Sequence, residues 1–138
     1  MKYIIALGIF IFFVLFWLYS ERKNQALLKN IFAGRKSISN KTFYETYFKE
    51  QNTPENIVYG IKRILEEQLD TDLSKLSAED DFSTNLNLFF ALDSMADVEI
   101  IIALEKEFNI IISDAEAEAT HTIRDIVNLV WKKINEKA

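Results

Sequence analysis

"LDSMADVEIIIALEKEF", residues 92–108, decides how this chain folds. Its apolar residues recur at helical spacing: Met95, Val98, Ile101, Ile102, Leu104 and Phe108 supply one wide face, and Asp97, Glu99, Glu105 and Glu107 supply an acidic one. Ser94 stands at the entrance, where its side chain can cap the first turn. Asp97 follows three residues later, a capping-box-like pair with Asp in place of the usual Glu. The spacing therefore predicts a helix that opens at Ser94. An Asp-Ser pair at a helix mouth is commonly nothing more than a cap, so its meaning depends on what surrounds it.

Upstream, Thr53 is a good N-cap and Pro54 suits the first helical turn. Ile57, Ile61, Ile64 and Leu65 then recur at helical spacing, with Lys62, Arg63, Glu66 and Glu67 off that stripe, which predicts a helix to about Leu69. A long loop follows, with Leu73, Leu76, Phe82 and Leu86 as the residues that pin it to a core. Downstream, "ISDAEAEATHT" predicts a short helix from about Asp114. "TIRDIVNLVWKKI" predicts another, capped by Thr122, with Ile123, Ile126, Val127, Val130 and Ile134 turned inward. Four helices with a long first crossover make a small all-α bundle.

Composition agrees with a folded helical protein. Of 138 residues 49% are hydrophobic and 13% aromatic, with 3 Gly and 1 Pro, which excludes disordered, collagen-like and disulfide-framework classes. There is no Cys, hence no disulfide, thiolate metal site or Cys nucleophile. His121, the single histidine, lies in a short helix-linking segment and reads as a surface residue. With no glycine-rich phosphate loop and no metal-ligand cluster, the chain does not read as an enzyme.

The net charge of −5 conceals a split. Residues 1–54 carry eight Lys/Arg against three Asp/Glu, or +5; residues 55–138 carry eight against eighteen, or −10. A domain at −10 repels nucleic acid and attracts basic protein patches, whereas a basic half beside an apolar run suits an anionic membrane surface.

That apolar run is "YIIALGIFIFFVLFWLY", Tyr3 to Tyr19, which contains no charge. It reads as a short transmembrane helix with Tyr3, Trp17 and Tyr19 as interfacial anchors. A cleaved secretory signal is the rival reading, disfavoured by the lone Lys2 ahead of the run and by the absence of a small-x-small cleavage site in "LYSERK". Arg22, Lys23, Lys29, Arg35, Lys36 and Lys41 follow the run, so the positive-inside rule places the C-terminal body in the cytoplasm. The expected organisation is a transmembrane anchor over residues 1–20, a juxtamembrane connector over 21–52 and a helical domain over 53–138. Within the connector, Phe43, Tyr44, Tyr47 and Phe48 share a helical stripe that either lies on the bilayer or packs on the domain.

From Thr53 to Ile134 the chain resembles the acyl carrier proteins, phosphopantetheine-bearing carriers of fatty acid and related synthesis. The resemblance rests on "DSM", "DVE", "ALEKEF", "IISDAEAEA" and "TIRDIV", ungapped from Asp93 to Val130. It implies a non-enzymatic carrier with 4′-phosphopantetheine attached covalently to Ser94 by a separate phosphopantetheinyl transferase, and acyl groups held as thioesters on the distal thiol. It further implies that Asp93 helps the transferase and its Mg²⁺ engage the serine. Asp97, Glu99, Glu105 and Glu107 match acidic positions where basic patches of acyltransferases or synthases dock. Combined with the apolar run, the expectation is a membrane-anchored acyl carrier for lipid or fatty acid biosynthesis. An unmodified carrier-like interaction module and an aminoacyl or peptidyl carrier are the alternatives.

The chain departs from the family between Phe82 and Ser94, where it is about four residues longer and reads "LNLFFALDS" without the familiar Gly. Leu88, Phe89, Phe90 and Leu92 either line an enlarged entrance for an acyl chain or add to the core. Ala96 and Lys106 occupy positions often acidic in the family, which weakens or redirects some partner contacts.

Overall fold

The structure, a computed structural model, describes residues 2–81 and 96–138. Its helices are α1 (Lys2–Ile31), α2 (Asn40–Tyr47), α3 (Glu55–Leu69), α4 (Ala96–Phe108), α5 (Asp114–Glu118) and α6 (Ile123–Lys137), with a 3-10 turn at Lys49–Gln51. The only β pairing among the described residues is an isolated bridge between Asp81 and Thr122. The protein is thus mostly helical, as an all-α carrier fold requires. It divides into two compact units, Met1–Gly34 and Arg35–Ala138.

In the first unit α1 is one helix, with Tyr3 to Tyr19 exposed along it. The expected single-pass anchor and the cytoplasmic placement that followed from it are overturned: among the described residues no helix is long and apolar enough to cross a membrane. The physical reason is reach. The uncharged stretch from Tyr3 to Tyr19 has seventeen residues, and at about 1.5 Å per residue it spans roughly 25 Å, short of a hydrocarbon core of about 30 Å. Beyond Tyr19 the same helix brings in Glu21, Arg22 and Lys23.

In the second unit α3 is the hub, packing against α2, α4 and α6. It buries Ile57, Val58, Ile61, Ile64 and Leu65, while α6 buries Ile123, Ile126, Val127 and Val130, and α4 contributes Ile100 and Leu104. Each such side chain removed from water stabilises by about 1.5–3 kcal/mol before chain entropy is charged against it. Gly60 in mid-α3 leaves room for α4: a Cβ there would stand 3.1 Å from Cζ of Phe108. The α3 start differs from expectation. Pro54 occupies the cap position without a side-chain bond, and Thr53 is buried, its carbonyl accepting from the Tyr44 hydroxyl at 2.8 Å.

The loop after α3 is pinned as its leucines predict. Asp70 turns left-handed at φ 46° to close the helix, the Glu66 carboxylate accepts from Leu73 N–H at 3.1 Å, and Leu73 and Leu76 are buried. The Asp72 carboxylate accepts from Ser74 N–H at 2.8 Å, a bond that holds its pKa below the ordinary carboxylate value.

The compact unit begins at Arg35, ahead of the Thr53 boundary, because residues 35–52 strap onto it. Arg35 forms a two-pronged ion pair with buried Asp80, at 2.6 and 3.0 Å, and Ile38 N–H donates to Ser74 C=O at 2.9 Å. Ser39 caps α2 by accepting from Thr42 N–H. Phe43 and Phe48 are fully buried, and Arg124 of α6 lies over the Phe48 ring and donates to Tyr47 C=O at 2.9 Å. Of the two placements for this aromatic stripe, packing on the domain is the one adopted.

Candidate functional site

Helix α4 carries the candidate site. Ser94 and Asp93, the expected attachment serine and its acidic neighbour, lie outside the described residues, as do Met95, Phe82, Leu86 and the apolar residues Leu88, Phe89, Phe90 and Leu92. The helix is described from Ala96, two residues after Ser94. Asp97 lies in its first turn, and its side chain, with the Ser94–Asp97 pair, is likewise outside the described residues.

The rest of the acidic set is divided in its employment. Glu105 is half-buried: its carboxylate accepts from Ile112 N–H at 2.7 Å, while its carbonyl accepts from Ile110 N–H at 3.1 Å. With Asn109 in the left-handed region at φ 50°, these bonds fold the chain back under the end of α4. Glu107 pairs with Arg63 of α3 at 2.8 Å, an exposed pair that raises the Arg63 pKa. Glu99 is exposed and has no ion-pair partner among the described residues.

The apolar face of α4 also differs from the sequence reading. Ile100 and Leu104 face the core, Ile101 and Phe108 are half-buried, but Val98 and Ile102 are 50% and 57% exposed. With apolar residues at eight of the thirteen positions, the helix is apolar on more than one side, so composition alone does not choose the buried row. The choice is made by contact with α3, whose Gly60 admits Phe108. Neither the Arg63–Glu107 pair nor the Glu105 bond to the 110–112 turn was legible; both join residues that helical spacing alone leaves on open surfaces.

Downstream, the short helix expected from about Asp114 is α5 and the one expected to be capped by Thr122 is α6. Ser113 caps α5 in a complete capping box with Glu116, and Thr122 caps α6 in another with Asp125. The Glu116 carboxylate is held down at about 2, chiefly by Lys133 of α6 at 2.7 Å and then by Ser113 N–H.

Comparison with known proteins decides the family. The family described as "Phosphopantetheine attachment site" matches residues 60–130, half the chain, a span that includes Ser94. The acyl carrier protein of Cyanidium caldarium is 36% identical over 86 residues, 62% of this chain and 95% of that protein. The chain belongs to the acyl carrier protein family. Other members similar to it include those of Thermosynechococcus vestitus, 37% identical over 78 residues and 91% of that protein, and of Buchnera aphidicola, 40% identical over 78 residues and 92% of it. As an acyl carrier protein it is a carrier and not an enzyme, and its prosthetic group is a covalently attached 4′-phosphopantetheine. The chemistry of the available donors fits that group: with no Cys in the chain, a reactive thiol comes only from the arm, and a serine hydroxyl is what a phosphodiester requires.

Proposed function

We propose that this carrier holds acyl groups as thioesters on a 4′-phosphopantetheine arm esterified to Ser94 and presents them to enzymes of fatty acid or lipid biosynthesis. The observation that carries the reading is the ungapped run from Asp93 to Val130 inside the family match, with Ser94 two residues before the first described residue of α4. At that place a phosphodiester would sit near unpaired amides and the positive end of the helix dipole. Ser94 is then an attachment point that needs no activating base in this chain, because the transferase supplies the chemistry. Asp93 is assigned to help the transferase and its Mg²⁺ engage the serine.

Acyltransferases and synthases are the partners, steered toward the acidic side of α4 by Asp97, Glu99, Glu105 and Glu107. Intact-mass spectrometry of protein co-expressed with a phosphopantetheinyl transferase tests the assignment. The arm is expected on the wild-type chain and absent from Ser94→Ala. An arm retained by that variant would move the site elsewhere, and a chain never loaded by several transferases would make it an unmodified interaction module.

A further inference from the structure

Every large apolar residue of α1 from Tyr3 to Tyr19 is at least 38% exposed, and seven of them are aromatic. At about 150–250 Å² per ring, these seven alone leave roughly 600–1,200 Å² of apolar surface in water, more than a monomer ordinarily tolerates. The residues are also sorted around the helix by shape. Ile4, Leu7, Ile11, Val14 and Leu18 recur at alternating three- and four-residue steps and form one row, aliphatic throughout, with none of the seven rings in it. One edge of the row carries Tyr3, Phe10 and Trp17, and the other carries Gly8, Leu15 and Arg22. A Cβ at Gly8 would meet nothing within 4 Å, so the second edge begins with an open notch, and Arg22 is exposed at its far end. Phe12, Phe13 and Phe16 lie on the outer side, the Phe12 ring 6.2 Å from that of Phe13 and 6.3 Å from that of Phe16.

We propose that α1 pairs in parallel with α1 of a second copy of this chain along the aliphatic row. In a parallel two-stranded coil the ring-bearing edge of each helix meets the other edge of its mate, one position against the position five residues on. Tyr3 then enters the notch at Gly8 of the second copy, Phe10 lies on its Leu15, and Trp17 faces its Arg22, a cation over an indole ring. Each contact occurs twice, as a symmetric pair requires. An antiparallel pair would set ring against ring along one side and leave the Gly8 notch empty on the other. Ile4 and Ile11 in one set of seam positions, with Leu7 in the other, is also the combination that favours two strands. The pair brings two carrier domains into one assembly and depends on nothing at Ser94.

The chain contains no Cys, so single cysteines report contacts without background. The full-length protein is kept in mild non-ionic detergent, which covers the outer rings and disperses non-specific aggregates, and is oxidised to join neighbouring thiols. Two thiols join only where their Cβ atoms can approach to about 3.5–4.5 Å, so Ile11→Cys and Val14→Cys in the seam are expected to give at least about fivefold more disulfide-linked dimer than Ile9→Cys and Phe16→Cys on the outer side. Gly8→Phe fills the notch and, with helicity by circular dichroism unchanged, is expected to lower the dimer yield of Val14→Cys by about fivefold or more. Ile9→Phe adds a ring on the outer side and is expected to leave that yield within about twofold. Equal cross-linking at all four positions would show non-specific aggregation. No cross-linked dimer at any of them, including the case in which the chain floats with phosphatidylcholine vesicles instead, would give α1 another occupant. Either result overturns the pairing, as does a Gly8→Phe variant that cross-links as well as its parent.

Discussion

Lys62 shows how far a single residue departs from its place in a helical pattern. Spacing puts it off the apolar stripe of α3, yet it is only 2% exposed, its ammonium donating to Asn40 Oδ1 at 2.8 Å and lying 5.1 Å from the centre of the Phe43 ring. Burial is the main influence on its pKa and lowers it below the ordinary value, against the opposing pull of Glu66 and Asp72. The sign of the consequence follows from linkage. The unfolded chain takes up this proton at higher pH than the folded one, so the penalty is fully present at neutral pH and stability rises as pH climbs toward the ordinary lysine value. Lys62→Met keeps the volume and removes the charge, and Asn40 is exposed enough for water to replace the lost donor. The variant should be within about 1 kcal/mol of wild type at pH 7, or above it, and should lose the alkaline gain. Urea denaturation from pH 7 to 10 measures this. A loss of stability at neutral pH well beyond that margin, or an unchanged alkaline rise, would show that the buried ammonium helps the fold.

At the scale of elements, the helices whose ends carry side-chain caps were legible and the surfaces between helices were not. Thr122 announces α6 because a cap is a local bond, written within four residues of sequence; the Ser113 box at α5 is just as local, although the sequence reading placed that helix only from about Asp114 and did not single the serine out. The same rule placed a cap at Thr53, where the residue is instead buried and Pro54 begins the helix without one. The outward turn of Val98 and Ile102 is equally non-local, since it depends on which row of α4 meets α3. Ser94, Asp93 and the longer segment before them lie outside the described residues, so the candidate attachment site is known here from sequence and family alone. The α5–α6 contact gives a measurable case of coupling between elements. Lys133 is the largest influence holding Glu116 at about 2, followed by the Ser113 amide. A depressed carboxylate contributes stability above its unfolded pKa, and that contribution disappears as pH falls toward about 2. Lys133→Met should therefore raise the Glu116 pKa only part of the way back, because the Ser113 bonds remain. Carbon-13 NMR titration of the Glu116 carboxyl reads the change directly, and a value still at about 2 would assign the whole effect to the cap.

For the Arg35–Ala138 unit as a whole, the open question is whether residues 35–52 belong to the folding unit or merely lean on it. Their ties are distributed: Arg35 to Asp80, Ile38 to Ser74, Asn40 to Lys62 and Tyr47 C=O to Arg124, with Phe43 and Phe48 fully buried between. Truncating a buried Phe to Ala costs about 3–5 kcal/mol when the surroundings cannot collapse. Ordering each backbone residue of the strap, however, costs about 1–2 kcal/mol, so its net docking energy is far smaller than its gross contacts. Those two magnitudes set a ceiling. Once Phe43→Ala has weakened the strap beyond its net docking energy, the strap detaches, and no second substitution within it can cost more than deleting it. Phe43→Ala and Phe48→Ala should each destabilise residues 35–138, and the double variant should fall short of their sum, converging on the stability of residues 53–138 alone. Urea unfolding of the five proteins, the unsubstituted 35–138 fragment included, tests this. Fully additive losses that carry the double variant below the truncated domain would mean that the strap cannot detach; equal stability of the 35–138 and 53–138 fragments would mean that the strap contributes nothing.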